Sequence, residues 1–460
     1  MHSELAGLMQ DAASLHRFVR FLREFCEERR ATHHYLSSSR AFFLYVQQLA
    51  EKTETFLQRL ISSPEPTYRS PRAERKVAAL KRFWTVLHWL IKPAADAHTL
   101  RVPVPLLGLL ERHLRSLGGF SESKVVTLLS PDLNYFQYRT GPLRELAAQV
   151  TLMLDAPPFP EGLGFIAIPY SQESRLFTNL LLYHELGHFA FETEGNAAGL
   201  LPQVDDALTA VLGEQFASAP EPLRSWCRGR LVAWCEETYA DLFATFLIGP
   251  AYSFASIELF NLLALLEAPR SLRFDSEHTA DAYRFNEQLN YLKNAGWWQC
   301  LGGAKTEHQK LIEKLAARKE EEYLYPVPDI PQLGSLLIRA FLRVRVPVRE
   351  LVAKTCKECA ADTRPFVAYS EAIWRYLANA TVPSTLSLGG EAFHPPEVAT
   401  INSAFLFSLA SLSRLLAKVE GYDASRPKVS DYGQVAGRIE LWTMKAIEDL
   451  ALLSRRPKVG

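Results

Sequence analysis

Residues 183–188 read Tyr-His-Glu-Leu-Gly-His and contain the pattern HExxH. On a helix, residues four apart lie on one face, so His184 and His188 can offer two imidazole nitrogens to one metal ion. Glu185 lies one step further round, where its carboxylate can take a proton from a water at the metal instead of binding the metal. This arrangement is typical of a catalytic zinc ion. The alternative is a pair of hydrogen-bonded core histidines beside an exposed glutamate.

A catalytic zinc ion usually has three protein ligands, so a third must come from elsewhere in the chain. The best source is the apolar helical pattern at 231–246, where Glu237 and Asp241 are four residues apart. Like charges at that spacing repel each other, and a nearby cation reverses the effect. We therefore assign Glu237 as the third zinc ligand and Asp241 as the acceptor of one histidine's distal N–H. The alternatives are Asp241 or Glu236 as the ligand, or a solvated acidic face without a metal.

The two segments together carry a resemblance to a known group of enzymes. HELGH followed downstream by EETYAD resembles the gluzincin metallopeptidases, the thermolysin-like clan in which one helix carries HExxH and a later helix carries Glu-x-x-x-Asp. The resemblance spans residues 164–250 and indicates no narrower family. It implies one zinc ion held by His184, His188 and Glu237. It also implies that Glu185 is the general base and that Asp241 supports a ligand.

A short β-prone run precedes the HExxH segment. Residues 164–169 read Gly-Phe-Ile-Ala-Ile-Pro, and the final proline suits an edge strand or a strand end. Zinc peptidases of this clan commonly place such a strand beside the active-site helix, where an extended peptide can add to it through main-chain hydrogen bonds. An ordinary buried strand is an equal alternative.

Hydrolysis also requires a hydrogen-bond donor for the oxyanion that develops on the scissile carbonyl. The tentative candidates are His278, which shares a segment with Arg284, and Tyr252, which follows a helix end expected at Gly249. His394 is a weaker candidate. The sequence does not choose between them.

Composition predicts the class of protein and its compartment. The chain has 460 residues, 48% of them hydrophobic, which is enough for two or three folded units. Lys+Arg and Asp+Glu each total 51, and the zero net charge argues against a general binder of nucleic acid or acidic membranes. No signal peptide or membrane-spanning run is expected. Because the six cysteines are scattered and Cys356 and Cys359 are the one close pair, a reducing, cytoplasmic compartment is expected.

Helical periodicity dominates the chain. The HExxH helix is expected to begin at a cap on Ser171 or Ser174 and to end near Gly195. Further helices are expected at 15–30, 41–60, 74–91, 106–117, 143–154, 306–322, 333–343, 365–380, 402–419 and 432–453. The predicted fold is therefore mostly α (α+β), with a small β-sheet packed on the HExxH helix. A helical N-terminal region (1–150), a zincin catalytic core (151–300) and a helical C-terminal region (301–460) are expected.

The resulting functional expectation is a zinc-dependent peptidase that acts on a protein or peptide, with Glu185 as general base. Because more than half of the chain lies outside the expected core, we also expect access to be restricted by the helical regions, by a regulatory protein partner or by substrate choice. The alternatives are a regulatory or scaffold protein that retains a zinc site, and a zinc hydrolase of non-peptide amides. An intact Glu185 argues against a purely structural site, since such a site needs no base.

Overall fold

A computed structural model gives the fold. It describes residues 2–32, 37–62, 71–97, 102–117, 120, 124–132, 134–193, 195–213, 216, 218–266, 272–301, 306–327, 330–388, 390–411, 416 and 429–454. These residues belong to two compact units. The first comprises Met1–Arg115 and Phe120–Glu173, and the second comprises Ser116–Gly119 and Ser174–Gly460.

The first unit is built from amphipathic helices around one small sheet. Its helices are α1 (His2–Thr32), α2 (Ser37–Ile61), α3 (Pro71–Asp96), α4 (Val104–Ser116) and α5 (Gly141–Leu154). Helix α1 packs along α2, and both α2 and α3 pack against the sheet. The core contains aromatic side chains such as Phe42 and Phe165, whose rings meet edge to face with centroids 5.1 Å apart.

The sheet of the first unit has three strands: β1 (Lys124–Ser130), β2 (Phe136–Tyr138) and β3 (Leu163–Pro169). Their order is β1-β3-β2, with β3 parallel to β1 and antiparallel to β2. Strand β3 is therefore the central strand, and all of its residues are buried. Of the two alternatives for residues 164–169, the ordinary buried strand is confirmed, and the edge strand open to a peptide is not found. Pro169 fits a central strand because it is the last residue and pairs only with Ser130 at the end of the ladder.

The second unit contains the remaining helices and a two-stranded hairpin. Its helices are α6 (Leu182–Thr193), α7 (Asn196–Leu212), α8 (Glu221–Ile248), α9 (Pro250–Leu266), α10 (Asp281–Asn294), α11 (Trp297–Cys300), α12 (Glu307–Ala316), α13 (Pro331–Thr355), α14 (Thr363–Ala378), α15 (Glu397–Ala410) and α16 (Val429–Leu453). The hairpin pairs β4 (Leu386–Leu388) with β5 (Glu391–Phe393). The prediction of a mostly α fold with small sheets is confirmed.

The second unit continues across the boundary expected at residue 300. Helix α13 packs against both α7 and α8, so helices from both sides of that position share one core. The expected helix at 402–419 is described as far as Ala410, and most of the rest of that stretch lies outside the described residues. No described helix is both long and apolar enough to cross a membrane.

The HExxH helix α6 begins later than its sequence suggests. It starts at Leu182, directly after a 3₁₀ turn at Thr178–Leu181, so the predicted caps at Ser171 and Ser174 were wrong. The chain before α6 is held by Glu440 on α16, which accepts hydrogen bonds from the Leu176 backbone N–H at 2.5 Å and from Arg175 Nε at 2.8 Å. A side chain far along the sequence therefore satisfies this backbone N–H in place of a local cap.

Candidate metal centre

Helices α6 and α8 approach each other closely at Gly187. A Cβ atom at this glycine would lie 2.6 Å from Ala240 Cα and 3.1 Å from Ala240 Cβ, so only glycine permits this contact. Phe191 and Tyr239 pack edge to face at 5.3 Å and continue the same interface. The close approach places the histidines that flank Gly187 opposite the acidic side chains that flank Ala240.

Three ligand atoms converge between these helices. His184 Nε2 and His188 Nε2 are 3.1 Å apart, and the two oxygens of Glu237 lie 3.5 Å and 3.3 Å from them, respectively. A tetrahedral ion with bonds of about 2.0–2.1 Å separates its ligand atoms by about 3.3–3.4 Å. The separations between these nitrogens and oxygens, 3.1–3.5 Å, are close to that spacing, so each of the three residues can offer an atom to one ion. Among the described residues, this is the one group of three such side chains able to hold a metal ion.

The proton positions on the two rings explain why a cation belongs there. His184 Nδ1 lies 3.0 Å from Asp241 Oδ1, and His188 Nδ1 lies 2.9 Å from Glu236 Oε1. Since a carboxylate only accepts, each Nδ1 carries the hydrogen, and in a neutral ring each Nε2 is left with a lone pair. Two lone pairs and a carboxylate thus face one another. One proton can be shared only between the two Nε2 atoms, whereas a metal ion can bind both of these atoms and the Glu237 carboxylate.

The Glu237 carboxylate provides an independent observation. Its Oε2 atom is buried and has no hydrogen-bond donor among the described residues. The nearest guanidinium nitrogen, Arg284 Nη2, is 3.6 Å away. A buried carboxylate oxygen without a donor is costly, and a metal bond would remove that cost. The donor set and this oxygen both fit a divalent cation.

Asp241 is fixed by three side chains from three different elements. Arg284 on α10 donates to its two oxygens through Nε at 2.6 Å and Nη2 at 2.8 Å. Tyr252 on α9 donates its hydroxyl to Oδ1 at 2.6 Å. With His184 as the third partner, the carboxylate cannot rotate, and it sets both the tautomer and the tilt of the ring.

The local field of the site is negative. Burial lowers the pKa of His188, but the charge of Glu237 and the hydrogen bond that His188 donates to Glu236 outweigh burial and raise that pKa well above its usual value. Burial raises the pKa of Glu237, yet the adjacent imidazoles bring it well below the usual range. Arg284 is one positive charge among several carboxylates. Such a site favours an added cation.

Glu185 is buried beside the ligand cluster. Burial, the largest influence, raises the pKa of its carboxyl group above the usual value, and the negative charge of Glu237 adds to that rise. The positive fields of His184 and His188 oppose the change. A carboxyl group whose pKa is raised in this way holds a proton more readily than an exposed one, as a general base must.

The three candidate oxyanion donors lie in different surroundings. His278 is partly exposed, and its Nδ1 is 3.2 Å from each oxygen of Asp275. The hydrogen bond with Asp275 raises the pKa of His278. Burial opposes this rise, and the charge of Glu237 adds to it. Tyr252 is buried, and its hydroxyl lies 3.3 Å from Nδ1 of His184, on the ring edge opposite the converging Nε2 atoms. His394 hydrogen-bonds the backbone of Ser384 beside the β4–β5 hairpin.

The structure also reveals contacts that the sequence did not predict. Glu236, considered only as an alternative ligand, contacts the Nδ1 of His188, and Tyr252 contacts Asp241 instead of facing the cluster. The pattern EE-x-x-x-D offered a signal for Glu236, since adjacent acidic residues on one helix can reach two different rings. Cys356 and Cys359 are not joined in a disulfide; the first is buried and the second is partly exposed.

Comparison of the chain with models of known protein families, with characterised proteins and with solved structures gave no match. The geometry of the second unit therefore carries the functional argument.

Proposed function

We propose that this chain is a zinc-dependent peptidase. The observation that carries the proposal is the convergence of His184 Nε2, His188 Nε2 and the Glu237 carboxylate, with both Nδ1 atoms committed to other carboxylates. Two imidazoles and one carboxylate are a ligand set that catalytic zinc sites use, with a further position left for water or substrate. The likeness of HELGH and EETYAD to gluzincins supports the same reading and names the peptide bond as the target.

A zinc ion at this position lowers the pKa of a water and polarises a carbonyl oxygen. Glu185 accepts the proton that the attacking water loses as its oxygen bonds to the carbonyl carbon. When the C–N bond breaks, Glu185 delivers that proton to the leaving nitrogen, so the products are a carboxylic acid and an amine. The buried position of Glu185 beside the ligand cluster suits both transfers.

We assign His278 as the donor to the developing oxyanion, because the charge of Glu237 acts on its ring and helps to raise its pKa. Its Nδ1 is held by Asp275, so its other ring nitrogen is the one available to a ligand. Asp275 in turn accepts the backbone N–H groups of Glu277 and His278, both at 2.7 Å, which fixes the loop that carries the ring. Tyr252 and Arg284 are bonded to Asp241 and act by holding His184 in place.

The substitution Glu185→Gln tests the proposal. It removes the proton acceptor while leaving every ligand intact, so we expect zinc content and thermal stability to stay near wild type and cleavage to fall by about 10²–10⁴-fold. A peptide library digested by wild type and variant and read by mass spectrometry measures this without assuming a substrate. Equal cleavage by the two proteins would contradict the mechanism. Zinc without any peptide cleavage by wild type would favour the scaffold or non-peptide alternatives.

A further inference from the structure

Arg230 lies on α8 two helical turns before Glu237. Seven residues of α-helix cover about 10.5 Å and return to within about 20° of the same direction, so the two side chains leave the same face of the helix. Arg230 is half-buried, and its guanidinium carbon lies 5.5 Å from the centre of the Trp226 ring. The Trp226 ring is stacked on Tyr325 at 6.5 Å, with 17° between the ring planes. The Trp226 ring, itself stacked on Tyr325, therefore lies against this guanidinium.

Arg230 has no acidic partner among the described residues. Its Nη1 donates to the backbone carbonyl of Ser276. No described Asp or Glu oxygen lies within 4.0 Å of its guanidinium nitrogens, which is the limit for an ion pair. Arg228, two residues earlier, contrasts with it and is bonded to Asp205 at 2.5 Å and Glu221 at 3.3 Å. A guanidinium has five N–H donors, so most of those on Arg230 remain available to a ligand.

The surroundings of Arg230 connect it to the metal centre. Ser276, which it contacts, is two residues before His278 in the same loop, and Trp234 Nε1 donates to the neighbouring Asp275 carbonyl at 3.0 Å. Three features therefore follow one another along one face of α8. They are the candidate metal ligand Glu237, the loop that carries His278, and the guanidinium of Arg230. Trp234, which lies between Arg230 and Glu237 on α8, is fully buried and hydrogen-bonded to this loop, so a substrate that reached from the metal to Arg230 would lie over the loop and not on the helix itself.

We propose that Arg230 binds a carboxylate of the substrate and makes the enzyme selective for peptides with an acidic group at a fixed distance from the cleaved bond. The inference rests on the proposed peptidase function. An extended peptide advances about 3.3–3.4 Å per residue, so about 10.5 Å places the carboxylate on the third residue to one side of the scissile bond. Guanidinium pairs with carboxylate through two parallel N–H···O bonds, which gives both affinity and geometric selectivity. The carboxylate is an Asp or Glu side chain or a free C-terminus.

The test is cleavage of a peptide library by zinc-loaded wild type, Arg230→Gln, Arg230→Lys and Arg228→Gln. We expect wild type to enrich acidic residues at one position about three residues from the cut, and Arg230→Gln to lose that preference. For a matched pair of peptides with Glu or Gln at this position, Arg230→Gln should lower kcat/KM for the Glu peptide by about 10-fold, mainly through KM. Arg230→Lys should keep part of the preference, and Arg228→Gln should keep all of it.

Peptides that end three residues after the cut, made with a free carboxylate or an amide, distinguish a C-terminal group from a side chain. The same Glu and Gln peptides binding to zinc-loaded Glu185→Gln, followed by fluorescence anisotropy, give a readout that needs no turnover. Cleavage without an acidic preference would overturn the Arg230 proposal and leave the peptidase proposal standing. If Arg230→Gln lowered kcat/KM equally for all peptides, Arg230 would only hold the Ser276 loop. No cleavage by wild type would overturn both proposals.

Discussion

At the residue scale, the central feature is that three groups able to bind a metal, two imidazole Nε2 atoms and one carboxylate, face one another. His184 and His188 each give their Nδ1 hydrogen to a carboxylate, and Glu237 has an oxygen with no donor among the described residues. The cluster is thus complete except for a positive charge. Its supporting contacts are as specific as its ligands, because each ring is oriented by a different acidic side chain.

Tyr252 is a positioning residue in this account, and its removal should weaken zinc binding. Tyr252→Phe deletes the 2.6 Å hydrogen bond to Asp241 Oδ1, which lets the carboxylate turn away from His184. We expect zinc affinity to fall by about 10-fold, measured by competition with a chromogenic chelator. Tyr283→Phe is the matched control, since it removes a buried hydroxyl that has no hydrogen bond among the described residues. Equal zinc affinities of the two variants would show that Tyr252 does not position the metal site.

Local spacing allowed the ligands themselves to be predicted. His184 and His188 share a helix face by periodicity alone, and a pair of acidic residues four apart drew attention to Glu237 and Asp241. The partners of the rings could not be predicted, because they depend on where α8 and α9 cross α6. Tyr252 is an example, since its distance from Asp241 is set by two helices meeting, and the sequence carries no record of that distance.

At the element scale, the site depends on how closely α6 and α8 pack. Gly187 and Ala240 allow near-contact of the two backbones, and the ligands flank this point on each helix. The sequence predicted both helices but not their closeness, nor the late start of α6, which follows the 3₁₀ turn at Thr178–Leu181. The central position of β3 could not be predicted either, because its own residues do not identify the two strands that pair with it.

A methyl group at the helix crossing should therefore disrupt the centre. Gly187→Ala places a Cβ 2.6 Å from Ala240 Cα, and the helices must separate to accept it. We expect a loss of about 1–3 kcal/mol in the free energy of unfolding of the zinc-free protein, together with weaker zinc binding. Urea unfolding and chelator competition measure the two effects. Gly229→Ala on α8 is the control, because its Cβ meets nothing within 4 Å, and it should stabilise the helix by up to about 1 kcal/mol. Gly187→Ala behaving like this control would contradict the close-packing argument.

At the scale of the whole molecule, a small part of the chain forms the candidate metal site. The ligands and their supports come from four helices of the second unit, α6, α8, α9 and α10, and the first unit contributes no three-residue metal group among its described residues. Helical periodicity correctly predicted a mostly α chain. The division at residues 173 and 174 was not predicted, because packing between distant helices decides which segments share a core.

The large share of chain outside the site leads us to expect restricted activity. A peptidase with an open cleft would degrade unfolded chains freely, whereas this protein should need a particular substrate or a partner. Purified, zinc-loaded protein incubated with casein should therefore leave most of it intact, with Glu185→Gln as the blank. Rapid, unselective casein degradation by wild type but not by Glu185→Gln would support the chemistry and contradict the restriction.

The most direct test of the central claim is the zinc content of the purified protein. Elemental analysis of wild type should find about one zinc per chain, and His188→Ala should lose it, because two ligands hold the ion far more weakly than three. Glu185→Gln, which keeps all three ligands, should retain the wild-type amount. Full zinc occupancy in His188→Ala, or none in a zinc-supplemented wild type, would contradict the assignment of His184, His188 and Glu237 as the metal site.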